Sequence, residues 1–126
     1  MKIATVQRGD LSAIEERREV VVRTGAEWAA LWKEHSPGEK PPAFDAARSM
    51  VVGVFLGSRP SGGFAVEITG VQRDGADLVV TYRESKPDPQ MMVIQMITSP
   101  FHLVRIDRHD GTVRFRPAAP AAKRQF

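Results

Sequence analysis

The sequence predicts an α+β fold, mainly β: an antiparallel sheet or partly closed sandwich of about seven or eight strands, with one helix packed on it. Three observations carry this expectation. The run Met50-Val51-Val52-Gly53-Val54-Phe55-Leu56-Gly57 is continuously apolar, the pattern of a strand buried on both faces. Phe64 to Thr69 alternates, with Phe64, Val66 and Ile68 on one side and Ala65, Glu67 and Thr69 on the other. Arg59-Pro60-Ser61-Gly62-Gly63 between them has turn chemistry, so the pair reads as a central β-hairpin with an elaborate loop. Strong helical spacing, by contrast, occurs in a single stretch that opens at Thr24.

In chain order, Met1 to Arg8 alternates weakly and reads as an edge strand, which Gly9-Asp10 breaks. Leu11 to Glu16 is irregular. Glu19-Val20-Val21-Val22-Arg23 is β-branched and short, hence a strand. Thr24-Gly25-Ala26-Glu27 has capping-box spacing: the threonine oxygen accepts from a free amide and Glu27 reaches back. Trp28, Leu31, Trp32 and His35 recur at i, i+3, i+4 and i+7, one face of a helix that Ser36-Pro37-Gly38 ends. The tryptophans are expected on the sheet as core. A loop with Pro41-Pro42 and Phe44-Asp45 follows, Asp45 capping a short turn.

After the central hairpin, Asp74-Gly75 is a turn signal between two alternating runs, so a second hairpin is expected, with Asp77 to Glu84 outgoing. Ser85 to Gln90 is a loop. Met91 to Thr98 is short, apolar and bounded by prolines, which favours a strand over a helix. Pro100 enforces a turn, for which a cis bond is one route. Phe101 to Ile106 is a strand, Asp110-Gly111 centres another hairpin turn, and Val113 to Arg116 is the last strand. Residues 1–117 therefore form one domain, and the Ala/Pro-rich basic stretch 118–126 is expected to fray.

With 126 residues, 42% hydrophobic and 26% charged, the chain can bury a real core. It has no cysteine, which excludes disulfides and thiolate chemistry and leaves the redox compartment open. The net charge is only +3, and the adjacent basic pairs Arg17-Arg18 and Lys123-Arg124 are not interleaved with aromatics, so no nucleic-acid partner is expected. No segment is long enough to span a membrane, and Met1 to Val6 lacks a signal peptide's apolar run. As given, the chain is expected in the cytoplasm; if it has been trimmed from a longer protein, the cell envelope is expected instead.

Reactive residues do not converge in the sequence. His35, His102 and His109 lack metal-ligand spacing, so neither metal nor cofactor is expected. Ser99, His102 and Asp45 can be assembled on paper, but there is no Gly-x-Ser-x-Gly nucleophile elbow. Ser61-Gly62-Gly63 is no phosphate loop, because Lys-Ser/Thr and a helix do not follow. Its glycines have two readings. They permit positive φ in a tight turn, or they let a partner's backbone approach, with Arg59 as a donor fork and Phe64 as an apolar contact.

Glu27-Trp28 with Leu31-Trp32, the Phe44-Asp45 loop, Met50 to Gly57, Arg59-Pro60-Ser61-Gly62-Gly63-Phe64, and Thr98-Ser99-Pro100-Phe101-His102-Leu103-Val104 together resemble the C-terminal domain of the protease complex subunit PrcB family. The resemblance runs from about Gly9 to Phe115. It implies an accessory, non-catalytic role beside a protease, and it carries over no catalytic residue. Pro60-Ser61-Gly62-Gly63-Phe64 is also similar to the Pro-Thr-Thr-Gly-Tyr loop of chagasin-type cysteine protease inhibitors, a likeness confined to that loop.

The expected function is a non-enzymatic protein-interaction module. Its expected partner is a protein, a protease being the candidate the resemblance implies, contacted by Arg59, Pro60, Ser61, Gly62, Gly63 and Phe64, with Ser99, Pro100, Phe101 and His102 as a neighbouring surface. The rival expectations are an inhibitor using the same loop and a small-molecule binder at the helix–sheet interface, lined by Trp28, Trp32 and Tyr82. The oligomeric state is left open.

Overall fold

A strand with no charged side chain on either face needs cover on both, and Ser49–Phe55 receives it. The computed structural model describes residues 1–118. In chain order its elements are β1 (Ala4–Gly9), β2 (Arg18–Val22), α1 (Gly25–His35), β3 (Ser49–Phe55), β4 (Ala65–Asp74), β5 (Asp77–Ser85), β6 (Phe101–Asp107) and β7 (Val113–Pro117). They build two sheets, ordered β1-β6-β3-β2 and β4-β5-β7. The four-stranded sheet is the middle layer, with α1 on one side and the three-stranded sheet on the other.

Strand alternation divides β3 between two cores. Met50, Val52 and Val54, with Leu56 beyond, meet Val66, Ile68, Val71, Leu78, Val80 and Tyr82 between the sheets. Val51 and Phe55 turn the other way, toward Trp28, Leu31 and Trp32 of the helix. At Gly53 a Cβ would lie 2.4 Å from Leu103 Cδ2, so the leucine of the paired strand fills the space a side chain would take.

The helix forms where its cap and its face agree. Thr24 Oγ1 accepts from the Glu27 amide at 3.1 Å, and Glu27 Oε1 accepts from the Thr24 amide at 3.1 Å. Trp28, Leu31, Trp32 and His35 are buried, and Trp28 Nε1 donates to the Pro42 carbonyl at 2.9 Å. Trp32 Nε1 is buried without an acceptor among the described residues. His35 fixes the end of α1: Ser12 Oγ and His35 Nδ1 are 2.7 Å apart, and His35 Nε2 and Gln7 Oε1 are 2.6 Å apart.

Four expectations need correction. β3 and β4 lie in different sheets, so the central hairpin does not exist. β3 already has β2 on one edge and β6 on the other, and β4 meets it face to face instead. Asp110-Gly111 does not turn a hairpin either: the chain changes sheets there, and β7 pairs in parallel with β5, the one non-antiparallel pair among the described strands. Gly111 passes so close to β5's entry that a Cβ would lie 2.3 Å from the Ala76 carbonyl oxygen. Met91 to Thr98 is not a strand but an irregular, largely exposed segment. No cis peptide bond occurs among the described residues, so Pro100 turns the chain in the trans form. The Asp74-Gly75 hairpin does form, with Asp74 opposite Asp77 and Gly75 at φ +64°. The tail, 118–126 in the sequence reading, lies outside the described residues from 119 on.

Candidate functional site

The loop after β3 is built from its own main chain. Leu56 N donates to the Pro100 carbonyl at 2.9 Å and Ser58 N to the Glu15 carbonyl at 3.0 Å. Gly57, at φ +80°, sits where a Cβ would be 2.8 Å from Arg17 N, so only glycine lets the chain turn against that backbone. Arg59 and Thr98 exchange two main-chain hydrogen bonds, of 2.8 and 2.9 Å. Thr98 Oγ1 donates to the Ser61 carbonyl, and Gly62 N donates to the Ile94 carbonyl, each at 2.9 Å.

Arg59 stabilises this turn from within. Its Nη1 donates to the carbonyls of Leu56 at 2.9 Å and Ser58 at 3.1 Å. Its guanidinium carbon stands 6.0 Å from the centroid of the Phe64 ring, and Glu84 is 4.0 Å away. The donor fork expected to reach a partner is thus partly spent on the loop. The two glycines also separate. Gly63 is at φ +90°, and a Cβ there would lie 2.7 Å from Pro87 Cβ. Gly62 lacks positive φ, and its nearest neighbour would be 3.6 Å away. Conformation therefore accounts for Gly63, while the backbone that approaches Gly62 is the chain's own, at Ile94. Ser58, Pro60 and Gly63 are exposed, while Arg59, Ser61, Gly62 and Phe64 are half-buried.

The neighbouring group is brought to this loop by Thr98 but turned inward. Ser99, Pro100, Phe101 and His102 are all buried. Ser99 Oγ donates to the Ile14 carbonyl at 2.5 Å, and Phe101 packs 4.4 Å from His35, centroid to centroid. His102 Nδ1 accepts from the Ile68 amide at 2.9 Å, which leaves Nε2 to carry the proton toward Thr5 Oγ1, also at 2.9 Å. Burial, aided by the nearby Arg8 cation, holds its pKa below the usual histidine value. Ser99 and His102 thus have separate partners, and Asp45 Oδ1 accepts from Ala47 N, so the paper triad is not assembled.

Nor do Trp28, Trp32 and Tyr82 line one space. The tryptophans face α1's side of the four-stranded sheet and Tyr82 the other. The feature missed from sequence lies beside the 59–64 loop. Met91, Met92, Ile94, Met96 and Ile97 are between 43% and 96% exposed, and the loop's Gly62 is bonded to Ile94. The same apolarity that suggested a buried strand belongs to a surface. No group of His, Asp and Glu able to hold a metal occurs among the described residues.

Residues 50–107 match the PrcB C-terminal family. The matched stretch runs from β3 through β6 and contains both the 59–64 loop and the exposed apolar run. It is shorter than the span the motifs suggested, and the tryptophan helix lies outside it. No curated protein and no solved structure matches the chain. Among the described residues, no helix is long and apolar enough to cross a membrane.

Proposed function

We propose that this PrcB C-terminal-like chain is a non-catalytic module that binds a partner protein, of the kind found in a protease complex, through the 59–64 loop. One observation carries the reading: the loop is held in a single shape before any partner arrives. Main-chain bonds at Ser58, Arg59 and Gly62, the Thr98 hydroxyl and the Arg59 fork all hold it. A preorganised loop loses little entropy on binding. Pro60 and Gly63 are exposed, and Phe64 beside them is half-buried. The buried positions of Phe101 and His102 make them supports of this surface, not contacts.

A pull-down from the source cell's lysate, wild type beside Gly62→Glu and Phe64→Ala, tests it. The expected outcome is a protein retained by wild type and lost by both variants while each stays folded. Equal retention by all three removes the loop assignment. If the retained protein is a protease, an activity assay separates accessory from inhibitor: an inhibitor lowers its turnover in proportion to dose.

A further inference from the structure

From Gln90 to Ser99 the chain carries no charged residue. Within this stretch Met92 is 96% exposed, Ile97 71%, Ile94 68% and Met91 53%, and Leu11, 65% exposed, joins them. Leu11 and Ile97 line the same shallow depression of about 170 Å³. One side of the segment is fastened to the 59–64 loop, through Ile94 to Gly62 and Thr98 to Arg59. The other side is open: no amide from Met92 to Ile97 donates to a main-chain acceptor among the described residues. A strand-forming sequence left in irregular form, with backbone donors free and apolar side chains in solvent, invites pairing as an unpaired edge does.

The other edges are protected. β1 carries a bulge between Thr5 and Gln7. The β4 edge is met by Arg8, which donates to the Val66 carbonyl at 2.9 Å, and by His102, which takes the Ile68 amide. β2 carries Arg18 and Glu19, and β7 carries Arg114 and Arg116 and ends in Pro117. Charges and proline blunt such edges. Among the described residues, 92–97 has neither.

We propose that Met92 to Ile97 is a self-association edge, which pairs antiparallel with the same segment of a second copy to form a twofold dimer. Three properties fit this occupant. An uncharged run placed against its own copy sets no like charges opposite one another, the arrangement that destabilises cross-strand pairs. Met92, Ile94, Met96 and Ile97, with Leu11 and Met91 beside them, present apolar surface on the order of several hundred Å², approaching the roughly 800 Å² per partner of a standard interface. Antiparallel pairing of one segment with itself is isologous and closes at two copies. Because Gly62 is bonded to Ile94, the dimer also sets two 59–64 loops beside its axis. This contact is distinct from the partner contact proposed above, and the two fail in different experiments.

Sedimentation velocity of the full chain across micromolar concentrations tests it, wild type beside the double variant Met92→Lys/Ile97→Lys. Both positions are exposed, so the fold tolerates the change, which circular dichroism checks. The expected result is a monomer–dimer equilibrium in wild type, weakened at least about tenfold in the variant. A wild type that stays monomeric at every concentration overturns the proposal and leaves the segment to a different protein. A dimer unaffected by the two lysines places the contact elsewhere, and an unending series of larger species overturns the closed twofold.

Discussion

His102 Nδ1 accepts the Ile68 amide proton at 2.9 Å, a bond that joins β6 of one sheet to β4 of the other. It fills a donor that an edge strand would otherwise leave bare inside the protein. Truncation should therefore cost more than the lost ring. His102→Ala leaves the Ile68 amide buried without an acceptor, and the expected destabilisation is about 2–4 kcal/mol in urea unfolding. His102→Asn keeps an acceptor near the Nδ1 position and should recover part of that loss. Equal stability of the alanine variant and wild type would show the bond to be dispensable.

The same residue predicts a pH response. Burial lowers the folded-state pKa of both His102 and His35 below the ordinary value of about 6.5. Below pH ~6.5 the unfolded chain then binds more protons than the folded one, so stability is full above that pH and falls as pH drops toward the folded-state values. Each histidine contributes a slope of at most about 1.4 kcal/mol per pH unit in that window. Urea midpoints compared at pH 7.5 and 5.5 should drop on acidification, and the drop should shrink in His102→Asn. A flat profile for wild type would contradict the burial argument.

Gly62 and Gly63 should respond unequally to a methyl group. Gly63→Ala must hold φ near +90° and place Cβ 2.7 Å from Pro87 Cβ and 3.0 Å from Val93 Cγ1. A cost of about 1–3 kcal/mol is expected from the backbone alone. Gly62→Ala meets nothing closer than 3.6 Å and should change stability by less than about 1 kcal/mol. Thermal melts of the two single variants decide it. Equal losses would mean that the loop is not held as described.

The fold was legible where local chemistry and tertiary position agree. The Thr24–Glu27 box, the Trp28-Leu31-Trp32-His35 face and the Asp74-Gly75 turn each specify their structure within a few residues. Partnership of β3 was not legible. Its apolarity reports cover on both faces, but Val51 pairs with Val22 and Arg105, far away in sequence, and no local signal names them. Asp110-Gly111 turns no hairpin, and Gly111 is not at positive φ: β5 still had an open edge in the other sheet, and β7 took it. Met91 to Thr98 misled for the same reason: hydrophobicity marks a surface that prefers cover, whether the chain itself or another molecule supplies it. At the site, the existence of a 59–64 loop was readable but its place was not: it crosses between the sheets instead of closing a hairpin, and Thr98, just before the expected Ser99 to His102, is the residue that meets it. The inward turn of Phe101 and His102 followed from β6 being central, which again depends on distant partners.

Methionine chemistry reads the exposed run directly. Met91, Met92 and Met96 are 53%, 96% and 43% exposed, whereas Met50 is fully buried between the sheets. Dilute peroxide should convert the first three to sulfoxides well before Met50, as peptide mass spectrometry can follow. The rates carry a further signal. If 92–97 pairs two copies, Met92 and Met96 should react more slowly as protein concentration rises, while Met1, 42% exposed and outside the run, keeps its rate. Oxidation itself should then weaken the dimer, because a sulfoxide puts a polar group on an apolar contact. Concentration-independent rates at Met92 and Met96 would count against pairing, and early loss of Met50 would contradict the two-sheet core.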